Sequence, residues 1–392
     1  MQINEGIHLA YCTNIHRGEG WRETFDGLKN YTLKVRDNVS KGKPFAIGLR
    51  LGNSAAIELS EDGSGRIEEF IKWLDENNCY VFTINGFPYG QFHGARVKEQ
   101  VYRPDWTSNN RLEYTKLLFD ILSKILPSGI SGSVSTLPGS FKEFIFNEAE
   151  QEAQIIDNLG LCGDYVKKLR ESTGKDLHLG LEPEPLGWFE NTIETINFFE
   201  KFRSVHGDKY NSIIGVNYDT CHLAIEYENA NESLLLLKEN DIRISKLHLS
   251  SALKLKPDQP AVNYLKKFEE DVYLHQVIAR YKNGELVRFR DLPDAIKNFN
   301  SHETSDALEW RVHFHIPLHS SPSEVFSDTN DHIRETLEVL SLDPTLCAHL
   351  EMETYTWEVL PKNMQTNDVV DQLSHEYKWT LNELESVGLV AS

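Results

Sequence analysis

Short apolar runs alternate with amphipathic stretches along nearly the whole chain, and no other feature limits its fold so strongly. The runs are Ile7–Cys12, Phe45–Leu51, Tyr80–Ile84, Ile130–Thr136, Leu177–Leu181, Ile213–Tyr218, Ile244–Leu249, Trp310–Ile316 and Cys347–Met352. Each has the length of a buried strand rather than of a helix. Between them the apolar spacing changes to that of a helix: Ile67, Phe70, Ile71 and Leu74 fall at i, i+3, i+4 and i+7. Tyr114, Leu117, Leu118, Ile121, Leu122 and Ile125 do the same, as do Ile193, Ile196, Phe199 and Phe202, and later Ile333, Leu337 and Leu340.

Strand–helix alternation at this pitch predicts a parallel sheet with covering helices, and at this length an α/β fold of the TIM (β/α)8 type. Nine runs compete for eight barrel places. The long, charged and weakly periodic stretch 254–305 reads as an insertion, which makes Trp310–Ile316 either an accessory strand or a misplaced barrel strand. Val370, Leu373, Tyr377, Leu381 and Leu384 predict an extra C-terminal helix. No repeat and no Pro-, Gly- or Ser-rich linker divides the chain, so residues 1–392 are expected to form one decorated domain.

Charge and cysteine usage exclude some functions. Lys and Arg total 40 against 60 Asp and Glu, a formal charge of −20. That field repels a phosphate backbone and argues against a nucleic-acid partner, including an apurinic endonuclease role. The five cysteines are scattered without CxxC spacing, as expected of buried thiols in a reducing compartment. With no signal-peptide pattern in MQINEGIHLAYC and no membrane-spanning run, a cytoplasmic location is the expectation. The charge is compatible with either a monomer or an oligomer.

Several strand ends carry metal-binding side chains. LGLEPEPLGWFE offers Glu182 and Glu184, two apart and on one face of an extended chain. GVNYDTCHLA offers Asp219 and His222, KLHLSSA offers His248, RVHFHIPLH offers His313, His315 and His319, and LEMETYTW offers Glu351 and Glu353. A single carboxylate after a strand is as often a helix cap, and a lone strand histidine such as His313 is more often a hydrogen-bonded core residue. Four successive late strands ending this way point instead to one mouth, where barrel enzymes build their sites. A mixed Glu, Asp and His set suits Mn²⁺, Mg²⁺, Co²⁺ or Zn²⁺. The loop Asn85–Gly94, with Phe87, Tyr89, Phe92 and His93, offers aromatic faces either to stack on a substrate or to plug the mouth; Trp188 and Trp357 extend that wall.

The order Glu, then Asp-x-x-His, then His, then Glu resembles the xylose isomerase-like TIM-barrel superfamily, with its sugar isomerase and 3-epimerase branch nearest in local detail. Glu184, Pro185, Leu186, Phe189 and Glu190 match that branch's Glu-Pro-Leu-x-x-aromatic-Glu stretch. The resemblance implies a divalent metal held by Glu184, Asp219, His248 and Glu353, with Glu182, Glu351 and His315 as second choices. It implies Glu184 and Glu353 as the catalytic pair, with His222, Glu190, Trp188 and Phe87 against the substrate. Over the whole chain, HLAYCTNIHRGEGW, NGFPYGQFHG, LEPEPLGWFEN, NYDTCH, HFHIPLH and METYTWEVLP are most similar to EboE-type metabolite-traffic proteins. Two positions depart from the epimerase pattern: Ser250 and Ser251 follow His248, and Gly187–Trp188 stands where Asn-Arg is usual. The metal set is thereby retained while the substrate wall changes.

Such a site implies isomerisation or epimerisation of a small polyhydroxylated or keto metabolite by proton transfer through an enediolate. The alternative implied by the EboE likeness is a non-catalytic protein that binds metal and metabolite in secondary-metabolite traffic.

Overall fold

The computed structural model describes residues 1–93, 96–301, 306–320, 325–362 and 364–392. The last residue of the aromatic loop, Gly94, and the end of the expected insertion, 302–305, lie outside them. In chain order the strands are β1 (His8–Tyr11), β2 (Phe45–Arg50), β3 (Cys79–Asn85), β4 (Gly132–Thr136), β5 (Leu177–Leu181), β6 (Ile214–Asp219), β7 (Ile244–Leu249), β8 (Ser251–Leu255), β9 (Val277–Arg280), β10 (Leu286–Phe289), β11 (Glu309–Ile316), β12 (Ser327–Asp328) and β13 (His349–Met352).

Eight of these run parallel in the order β1-β13-β7-β6-β5-β4-β3-β2. A parallel bridge between Cys12 and Gly48 brings β1 to β2 and nearly closes a TIM-type barrel. Gly48 permits that closure: a Cβ there would stand 1.9 Å from Glu351 Oε1 and 2.6 Å from the Tyr11 carbonyl, so any side chain would push the strands apart. All residues of β1, β2 and β4 to β7 are buried, as parallel strands covered by helices must be.

The helices follow from the same spacing. The helix Arg66–Glu76 buries Ile67, Phe70 and Leu74, and Asn109–Ile125 buries Tyr114, Leu118, Ile121, Leu122 and Ile125. Local side chains start several of them: Ser108, Asn191, Asn229 and Asp368 each accept a backbone N–H of the first turn. Helix Thr192–His206 turns Ile196, Phe199 and Phe202 inward but leaves Ile193 exposed. The C-terminal helix Val369–Ser386 inserts Leu373, Tyr377 and Leu384, and the Tyr377 ring meets Tyr11 of β1 and Phe45 of β2.

The surplus run is resolved by the second sheet. It is antiparallel, ordered β10-β9-β11-β8-β12, with Trp310–Ile316 inside its central strand rather than in the barrel. The sheet begins at Ser251 and ends at Asp328, wider at both ends than the 254–305 stretch that charge and weak periodicity single out. Its core is separate: Trp310, Val312, Phe314 and Ile316 of β11 pack with Phe268, Leu253 and Phe326. The intervening Arg311, His313 and His315 therefore point the other way, toward the barrel mouth.

Candidate metal centre

Four late barrel strands deliver Glu182, Asp219, His248 and Glu353 to one buried point, with one donor atom from each within 4.8 Å of the others. Glu182 leaves the end of β5 with its N–H on the Thr136 carbonyl of β4, and Glu353 leaves β13 with its N–H on Leu249 of β7. Asp219 ends β6 and caps the helix Thr220–Ile225: its Oδ1 accepts the N–H groups of Cys221 (2.7 Å) and His222 (3.1 Å) and the hydroxyl of Ser250 (2.5 Å). Those bonds fix the carboxylate so that Oδ2 faces inward, where it is buried with no hydrogen-bond partner. Such an orphaned acceptor is costly unless something positive meets it.

His248 is oriented from below. Its Nε2 donates to Glu351 Oε2 at 2.7 Å, and the same oxygen takes Lys246 Nζ at 2.5 Å, all three side chains being fully buried. With Nε2 engaged, Nδ1 faces Glu182 Oε1 at 3.0 Å, Glu353 Oε2 at 3.2 Å and Asp219 Oδ2 at 3.6 Å. Donors sharing one ion at about 2.1 Å stand roughly 3.0–3.4 Å from one another, so this donor set fits a divalent cation. The carboxylate behind the histidine is the partner that metal-ligating imidazoles commonly have. Asn217 Nδ2 reaches Glu182 Oε2 at 2.7 Å, while Asn14 and Asn85 donate to Glu353 Oε1 at 2.7 and 3.2 Å.

The electrostatics follow from crowding acids out of water. Burial pushes the Glu182 carboxyl up to about 7, and His248 only partly opposes it. Burial raises Glu184 well above the carboxylate range, helped by the charge of Glu182. For Glu353 burial also pushes upward, but His248 outweighs it and holds the group below its usual value. Burial opposes a charge on His248, yet Glu353 raises its pKa well above that of an ordinary histidine. Glu351 is held at about 2, because Lys246 and His248 overcome its burial.

Other residues singled out in the sequence are distributed differently. Glu184 stands beyond the four: its Oε2 lies 3.4 Å from His222 Nδ1, and it lines the cavity above. Glu351 supports His248 from beneath. Phe87 and His222 line the cavity. Glu190 does not; it accepts from Lys142 (2.5 Å), Leu186 N (2.8 Å) and Gln276 (3.1 Å) and braces the β5 loop. Trp188 turns away to Glu152, with Nε1 at 3.3 Å from its carboxylate. His315 and His313 meet His222 at the side of the mouth, so His313 is a site-facing residue rather than a core one.

Asn14, Asn85, Tyr102, Tyr273, Gln276 and Tyr355 also line the cavity, and sequence reasoning assigned them no role. Asn217 and Lys246 had a readable signal: each sits two residues before a proposed ligand on its strand, hence on the same face. The enclosed part of the cavity measures about 70 Å³ and opens to solvent at the mouth.

The fold is a TIM-type barrel, similar to solved structures of xylose isomerase-like barrels. A D-tagatose 3-epimerase-like protein matches with a TM-score of 0.51 at 11% identity, covering 97% of this chain and 97% of that one. A xylose isomerase domain protein from Planctomyces limnophilus matches with a TM-score of 0.50 at 11% identity, covering 91% and 92%. At these identities the likeness is one of fold. No family model and no curated protein matches the chain. No helix among the described residues is long and apolar enough to cross a membrane, and the five cysteines are free and buried.

Proposed function

We propose that this chain, acting as one barrel domain with an inserted sheet, is a divalent-metal-dependent isomerase or epimerase of a small polyhydroxylated or keto compound. The observation that carries the reading is the orphaned Asp219 Oδ2 among Glu182, His248 and Glu353 at the floor of a cavity. A divalent cation held by these four supplies a Lewis acid for a carbonyl or hydroxyl oxygen. Glu353 Oε2, kept ionised, removes a proton from the adjacent carbon. Glu182, on the opposite side of the floor, exchanges a proton on the other side. Glu184 lines the cavity within reach of a substrate oxygen, and His222, fixed by its Nδ1 on the Pro183 carbonyl (2.9 Å), presents Nε2. The names of the two similar structures, a 3-epimerase-like and a xylose isomerase domain protein, agree with this reaction class.

The wall narrows the substrate. Phe87, Phe92, Tyr102, Tyr273 and Tyr355 dominate it. Its one Lys or Arg among the described residues, Lys98, is engaged by Asp291 at 2.6 Å. A phosphate would meet Glu182, Glu184 and Glu353 and, among the described residues, no unpaired Lys or Arg. The substrate is therefore neutral, with an apolar ring or carbon face for the aromatics and oxygens at one end for the metal.

Solvent-deuterium exchange tests this. Protein loaded with Mn²⁺, Co²⁺ or Zn²⁺ should incorporate deuterium into unphosphorylated ketoses or cyclic hydroxyketones and not into their phosphates, and Glu353→Gln should slow the exchange by about 10²–10⁴-fold. Binding without exchange across the panel would favour instead the carrier role suggested by the EboE likeness. Unchanged metal content in Glu182→Ala and Asp219→Ala would sink the site assignment.

A further inference from the structure

The wall of the cavity carries an unpaired acceptor that the proposed reaction does not use. Among the described residues that line the cavity, two buried side-chain oxygens have no hydrogen-bond partner: Asn14 Oδ1 and Gln276 Oε1. Asn14 belongs to the floor, its Nδ2 held on Glu353 at 2.7 Å. Gln276 belongs to the inserted sheet. It is fully buried immediately before β9, where its backbone carbonyl takes the His313 N–H of β11 at 2.8 Å. Other polar groups of the wall are engaged elsewhere: Tyr102 OH on the Pro185 carbonyl (2.8 Å), Tyr273 OH on His93 Nδ1 (2.9 Å), Asn85 Oδ1 with the Phe87 N–H (3.1 Å) and Lys98 with Asp291 (2.6 Å).

The orientation of the Gln276 amide is determined by what stands behind it. Its Nε2 lies 3.1 Å from Glu190 Oε2, and that carboxylate also takes Leu186 N at 2.8 Å and Lys142 Nζ at 2.5 Å. A carboxylate paired with a lysine only accepts, so the amide turns its NH₂ to Glu190 and carries Oε1 on the opposite edge. Glu190 does not line the cavity, whereas Gln276 does. The negative charge behind the amide polarises it and strengthens Oε1 as an acceptor. An acceptor buried without a partner is costly, and a ligand O–H removes the cost. An ether, a ketone oxygen or a carboxylate has no hydrogen to give and is repelled there.

We propose that Gln276 determines specificity by accepting one hydroxyl of the substrate, so that the inserted sheet selects a hydroxylated compound over its deoxy counterpart. The inference rests on the proposed function for the class of compound, but it concerns binding and does not require turnover. It adds to the neutral substrate a hydroxyl that reaches the wall while other oxygens meet the floor.

The test compares ligands that differ by a single hydroxyl. D-Ketohexoses and polyhydroxylated cyclohexanones are titrated calorimetrically into Mn²⁺-loaded protein, followed by the monodeoxy forms of the tightest binder, with deuterium exchange measured in parallel. At one position wild type should bind the deoxy form about 10–100-fold more weakly than the parent. Gln276→Met, which keeps the side-chain length without the acceptor, should lose discrimination at that position to within about threefold and keep it at the others. A residue that merely braced the β5 loop would weaken parent and deoxy forms alike. A wild-type crystal soaked in the parent ketose gives a readout independent of variant folding: one hydroxyl should stand about 2.6–3.0 Å from Oε1. Unchanged discrimination at every position in Gln276→Met, or a bound ketose with no hydroxyl at Oε1, would overturn the proposal even if exchange is seen. Discrimination lost at one position with no exchange in any sample would uphold Gln276 and defeat the isomerase reading. Failure of every compound to bind would defeat both.

Discussion

The two sides of the mouth are built by different means. The floor is made of side chains at the ends of adjacent parallel strands, three of the four backed by a side chain two residues earlier on the strand: Asn217 under Asp219, Lys246 under His248 and Glu351 under Glu353, with only Gly180 behind Glu182. The wall is made by β11, a strand of another sheet with its own core, which lays His313 and His315 against His222. The floor is fixed by barrel register and buried ion pairing, whereas the wall depends on the inserted sheet staying folded and docked. A barrel can thus keep its strand-end acids in place while an insertion alters the surroundings above them.

Removing a partner from beneath the floor should have the largest effect. Lys246 and Glu351 are both wholly buried, and Lys246→Met leaves a carboxylate without its cation. Loss of one member of a buried pair typically costs 3–5 kcal/mol, and about 4–5 kcal/mol is expected here. Denaturant unfolding measures it. The double variant Lys246→Met/Glu351→Gln should recover part of the loss, and no recovery would mean that Lys246 acts through packing rather than charge.

The wall should fail separately. Trp310 is fully buried in the accessory core, and Trp310→Ala is expected to cost about 3–4 kcal/mol by opening a cavity. Protease protection should fall within 251–328 first, while the barrel stays protected. Simultaneous loss of both regions would erase the distinction between them.

What the sequence reveals divides along the same line. The barrel strands are visible because parallel burial makes them continuous apolar runs; Leu177–Leu181 and Ile244–Leu249 agree with β5 and β7 to the residue. The strand ends that carry Glu182, Asp219, His248 and Glu353 are visible for the same reason. Glu182 and Glu184 are placed differently because alternation holds only while the chain is extended. β5 ends at Leu181, and the turn through Pro183, with Leu186 at φ 65°, lifts Glu184 to His222. In the second sheet, β8, β9 and β10 are short and antiparallel, and their pairing is set by contacts distant in sequence. The alternation Trp310, Val312, Phe314, Ile316 against His313 and His315 is readable in hindsight, but only once a second core exists for the apolar face to enter.

The joint between the two regions should respond mildly to pH. Glu226 follows the helix that Asp219 caps, and its carboxylate is bound by Arg288 of β10. Burial pushes Glu226 up to about 7 despite that arginine. Below about pH 4.5 the group is protonated whether or not the protein is folded, so it adds no pH dependence there. Between about 4.5 and 7 the folded form keeps a proton that the unfolded chain releases, so stability falls as pH rises through that window and levels off above it. About 1–3 kcal/mol is the expected span, within the roughly 1.4 kcal/mol per pH unit that one proton permits. Glu226→Gln, which cannot ionise, should flatten this part of the stability profile and gain most over wild type above pH 7. A variant profile as steep as wild type would place the response elsewhere and leave the joint insensitive to pH.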